Sequence, residues 1–129
     1  MIALVATTAG AFAVDLETGE VEPADPFVPA PAPALNLPLV VAAAASGSTV
    51  VAVVNARPPL VVSYDSGATW NESGRGLPPG HAVAIAEENP DAMVYAARNR
   101  LYVSRNGGVF WEALALELPE IGAVALTGG

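Results

Sequence analysis

All five cations of this 129-residue chain are arginines, and lysine is absent. Arg57 and Arg98 stand in similar settings, Asn-Ala-Arg-Pro and Ala-Arg-Asn-Arg. A guanidinium presents a planar fork of donors that matches a carboxylate or phosphate. Together with Asn55, Asn99, Arg100 and the single histidine, His81, these arginines form a candidate ligand-binding set for a small acidic group. The competing reading is that they pair with acids such as Glu87 or Glu120, or stay solvated. One histidine and no cysteine exclude a His/Cys metal cluster within one chain. The acidic stretches Glu87 to Asp91 and Asp15 to Glu22 match no calcium-loop spacing. No metal and no cofactor are expected, and His81 reads as a loop residue rather than a general base.

Internal repetition defines the strands and loops that carry these side chains. A shift of forty-one residues superimposes Leu60 to Ser63 on Leu101 to Ser104, Arg57 on Arg98, Gly67 on Gly108 and Trp70 on Trp111 without a gap. It also sets Ala44 and Ala45 against Ile85 and Ala86. A shift of forty-eight adds a third copy, with Ile2 to Ala6 on Val50 to Val54 and Gly19 on Gly67. The seven extra residues fall in the proline-rich stretch Pro23 to Pro38, where a longer loop disturbs no strand. Within it, Pro29 to Pro33 reads as a stiff extended spacer or as a docking strip.

Each copy reads as four short strands divided by turn residues. In the middle copy these are Leu39 to Ala45, Thr49 to Asn55, Leu60 to Tyr64 and Thr69 to Glu72. Ala42 to Ala45 has helical propensity, but its repeat partner alternates like a strand, so a strand is expected. The wholly apolar Val50 to Val54 predicts a strand buried on both faces. The repeats run about 1–38, 39–80 and 81–121, with a closing inner strand over 122–127, all within a single domain.

Four-stranded repeats of about forty residues predict an all-β β-propeller. Ser63-Tyr-Asp-Ser-Gly-Ala-Thr-Trp70 fits the S-x-D-x-G-x-T-W pattern, so the chain resembles Asp-box (bacterial neuraminidase repeat) propellers. The second copy keeps Ser104, Gly108 and Trp111 and departs at Asn106 and Phe110. The resemblance implies a structural turn built by Ser63, Asp65, Gly67, Thr69 and Trp70, and by Ser104, Asn106, Gly108 and Trp111, with the tryptophan in the gap between sheets. It also invites comparison with sialidases, whose site combines an arginine triad, a tyrosine backed by a glutamate, and an aspartate. Tyr64, Tyr95 and Tyr102 offer no evident glutamate partner here. The leading reading is a non-enzymatic binding module or scaffold for a small acidic ligand or a protein, similar to propeller assembly factors. The alternative is a sialidase-like glycosidase or a lyase on the arginine-lined face.

The repeat register bears on assembly. Ala123 to Leu126 repeats the first strand of a copy, and Gly129 aligns with Gly47 while Met1 aligns with Thr49. Three repeats are too few to close a ring. The expectation is therefore a homodimer in which Ala123 to Leu126 of one chain pairs with Ile2 to Ala6 of the other, giving a six-bladed ring.

Composition sets the outer bounds. A net charge of −8 with no basic patch argues against nucleic acid. Apolar residues make up 53% of the chain, yet no run reaches the roughly 20 residues of a membrane helix. The apolar start ends in Ala11-Phe12-Ala13 but lacks a positive segment ahead of it, and the repeat makes it a strand rather than a signal peptide. A cytoplasmic location is expected.

Overall fold

The computed structural model describes residues 1–127, which form an all-β chain of three four-stranded antiparallel sheets without a helix. The first sheet is ordered β12-β1-β2-β3, from β12 (Ile121–Thr127), β1 (Ile2–Thr7), β2 (Gly10–Asp15) and β3 (Val21–Pro23). The second comprises β4 (Val40–Ser46), β5 (Thr49–Val54), β6 (Leu60–Ser63) and β7 (Asn71–Ser73). The third comprises β8 (Ala82–Ala86), β9 (Asn89–Ala97), β10 (Arg100–Ser104) and β11 (Glu112–Ala113).

The third sheet is the most deeply buried of the three. Its β8 lies beside β4 on one side and β12 on the other. Because side chains alternate across a strand, Val83 and Ile85 join Val51, Val53, Leu60 and Val62 in one cluster. Ala82 and Ala84 point the other way and join Ala3, Val5, Val14 and Val124 in a second. The same alternation divides Met93 and Tyr95 from Val94 and Ala96 on β9. The third sheet thus stands between the other two and supplies both cores. Of the apolar run Val50 to Val54, Val50 to Val53 are buried and Val54 is half-buried, and Ala42 to Ala45 lie in a strand despite their helical propensity.

The structure revises two details of the repeat reading. First, the innermost strand slips by one residue against the shift of forty-one. Ile85 pairs with Met93, whereas Ala44, its expected equivalent, pairs with Val51. A bulge between Ile85 and Ala86 causes the slip. Since one residue of slip exchanges the faces of a strand, Ala44 packs toward the third sheet while Ile85 packs toward the second. Second, the outer strand of the middle copy starts at Asn71 rather than Thr69, because Thr69 is committed to the preceding turn.

The two ends meet in the first sheet: within the single chain described, Ala3 to Ala6 face Leu126 to Ala123 in antiparallel register. The linker between β3 and β4, residues 24–39, is roughly twice as long as the linkers 74–81 and 114–120 that join the other sheets. That length lets β1 reach its own β12. Pro29 to Pro33 border a cavity of about 410 Å³ together with residues of β4, β8 and β12, so the extended run crosses the innermost strands of all three sheets. The alignment of Gly129 with Gly47 lies outside the described residues.

Candidate functional site: an arginine pocket and two paired turns

The turn Ser63 to Trp70 is organised by two side chains. Ser63, fully buried, donates its hydroxyl to Asp65 Oδ1 at 2.7 Å and accepts the Gly67 N–H at 2.8 Å. Asp65 accepts the Thr69 N–H at 2.8 Å on Oδ1 and the Thr69 hydroxyl at 2.6 Å on Oδ2. The Thr69 hydroxyl, the Thr69 N–H and the Ser63 hydroxyl all favour the ionised carboxylate, which holds Asp65 down at about 2. Gly67 has φ +90°, a left-handed conformation that glycine adopts freely.

The second turn repeats this arrangement. Ser104 donates to Asn106 Oδ1 at 3.0 Å and accepts the Gly108 N–H at 2.8 Å, while Asn106 Oδ1 accepts the Phe110 N–H at 2.9 Å. Phe110 replaces Thr69, so the hydroxyl bond has no counterpart. The two turns are also tied together: the Tyr64 phenol donates to the Gly107 carbonyl at 2.7 Å, and the Ser73 hydroxyl donates to the carbonyl of Gly108.

Trp111 lies against the cluster between the second and third sheets, edge-on to Tyr95 with ring centres 6.2 Å apart, and its indole N–H donates to Ser73 Oγ at 2.8 Å. Trp70 is half-buried and belongs to neither core cluster, so the expected place between sheets is filled by Trp111 alone. Tyr95 is fully buried and donates to the Pro78 carbonyl at 2.7 Å. Burial, with a smaller contribution from Tyr102, pushes its phenol up to about 12, so it is a neutral donor rather than a nucleophile at ordinary pH.

The six expected ligand-binding residues divide into two groups. Arg98, Asn99 and His81 gather where β12 begins. The Arg98 carbonyl accepts the Ile121 N–H at 2.7 Å, the Asn99 carbonyl accepts the Leu118 N–H at 2.9 Å, and His81 Nε2 donates to the Ile121 carbonyl at 2.9 Å. These contacts join the first and third sheets. Arg100 lies alongside and pairs with Glu117 at 3.5 Å. Asn55 and Arg57 belong instead to the loop between β5 and β6, where the Asn55 N–H donates to the Leu39 carbonyl at 3.0 Å.

Arg57 opens into a pocket of about 460 Å³ with a partner that the sequence reading did not select. Loop 56–59 forms one wall and loop 75–79 the other, so Arg57 and Arg75 share the pocket with Pro58, Pro59, Leu77 and Pro78. No aspartate or glutamate lines it. Arg75 makes a surface pair with Glu72 at 3.5 Å, a contact worth little in water. Among the described residues Arg57 and Arg98 have no ion pair, and neither Glu87 nor Glu120 pairs with an arginine. The signal for Arg75 was its place between Gly74 and Gly76 in a linker joining two sheets, on the side of the molecule shared with the Arg57 loop.

Searches for similar sequences found no matching protein-family model and no matching curated protein.

Proposed function

We propose that the chain is a non-enzymatic, propeller-type binding module of the Asp-box kind, which recognises a small acidic ligand in the pocket between loops 56–59 and 75–79. The observation that carries the reading is that two arginines, Arg57 without an ionic partner among the described residues and the largely exposed Arg75 beside Glu72, line a proline-walled pocket to which no aspartate or glutamate contributes. Arg57 and Arg75 would grip a carboxylate or phosphate while the prolines and Leu77 cover the apolar part of the molecule. The paired turns at Ser63 and Ser104 are structural in this reading, since their polar groups are spent on one another. The ring reading remains part of the proposal: three sheets are half of a six-sheet closure, which a second copy would complete as a homodimer.

Thermal shift against a panel of mono- and dicarboxylates and inorganic phosphate tests the pocket. At least one anion is expected to raise the melting temperature of the native protein, and Arg57→Ala and Arg75→Ala should each weaken its binding about tenfold or more, as loss of a charged hydrogen bond does. No anion-dependent shift, or a shift unaltered in both variants, would contradict the proposal.

A further inference from the structure

We infer that linker 24–39 determines whether β12 pairs with β1 of its own chain or with β1 of a second copy. The inference rests on the ring reading, which the mass of the native protein tests separately. Linkers 74–81 and 114–120 carry the chain from the outermost strand of one sheet to the innermost strand of the sheet packed against it. Linker 24–39 has a different task. It leaves the first sheet, which packs on the third, and enters the second, which packs on the opposite side of the third.

The seven-residue excess seen in the repeats lies in this linker. In extended polyproline geometry those residues supply about 20 Å of reach, at about 3.1 Å each. An intervening third sheet adds one sheet-to-sheet spacing of about 10 Å, so the excess more than covers the longer path. The course of Pro29 to Pro33 along β4, β8 and β12 fits that bridging role.

Removing the excess makes β3 to β4 an ordinary connection between adjacent sheets. Strands β1 to β3 then sit beside the second sheet, away from their own β12. The exposed edges of β1 and β12 keep complementary registers, and an open strand edge is satisfied by the same strand of another copy. The partner is thus a second copy of this chain, and exchange retains every strand pair of the closed chain.

The chain has no cysteine, so the pairing can be read by a single engineered disulfide. Leu4 faces Ala125 across β1 and β12. In the native-length protein, Leu4→Cys with Ala125→Cys is expected to form its disulfide within one chain and run as a single chain on a non-reducing gel. With residues 29–35 deleted, or independently residues 26–32, the same pair is expected to link two chains. A deletion variant with β-sheet circular dichroism and an internal disulfide would overturn the inference, as would cross-linking between chains at native length. Failure of both deletions to fold would also count against it, because the exchanged dimer loses no strand pair.

Discussion

At the scale of single residues, Asp65 shows how a charged group can serve architecture alone. Its carboxylate is solvent-exposed, yet both oxygens are occupied by groups of its own turn. Its value in the folded protein, about 2, lies below the ordinary 3.8. The contribution is therefore fully present above about pH 4 and is lost as pH falls through about 2. Acid titration of stability should show a loss in that window which Asp65→Asn reduces, whereas an identical acid profile in Asp65→Asn would exclude this role. Asn106 provides the internal comparison, since the same turn is held there by an uncharged amide with no titration in this range. Arg57 represents the opposite case, a charged group not consumed by the fold.

Among the elements, the turns Ser63 to Trp70 and Ser104 to Trp111 share a backbone but differ in their surroundings. Gly67 and Gly108 both have left-handed φ, at +90° and +85°. A Cβ on Gly67 would stand 3.5 Å from Trp70, an ordinary contact, whereas one on Gly108 would come within 2.8 Å of Val62 Cγ2 in the neighbouring sheet. Gly67→Ala should then cost about 1 kcal/mol from backbone strain. Gly108→Ala should cost about 2–4 kcal/mol because overpacking is added to that strain. Urea unfolding of the two variants measures the difference, and equal costs would show that the contact to Val62 does not matter.

The turns and most strands could be read from the sequence because their signals are local. Gly67 and Gly108, Ser63 and Ser104, and the apolar run at Val50 each carry their own physical reason. The slip of β4 against β8 could not be read, because it depends on how β9 passes Pro90, Asp91 and Ala92 between the partners of the consecutive Ile85 and Ala86, and Pro90 by itself marks a turn rather than a change of register. The pocket was half legible: Arg57 stood out by repetition, but Arg75 has no repeat partner, and its approach to Arg57 follows from the path of linker 74–81. The place of Trp70 depended on which sheet covers the second one, a property of sheet order rather than of local sequence.

At the scale of the whole molecule, the third sheet is covered on both faces and the other two are the ends of the stack. A repeat architecture buries each sheet between neighbours, and a six-sheet ring gives every sheet two of them. The outer face of the first sheet carries Ile2, Leu4, Ala6, Ala11 and Ala13, all half-buried in the single chain, so it offers a second copy an apolar surface. The measurement that tests the ring most directly is the solution mass of the unmodified protein, by light scattering behind gel filtration. A six-sheet ring of two copies has about twice the chain mass of 13.0 kDa. A stable species at the mass of one chain across the concentration range would contradict it.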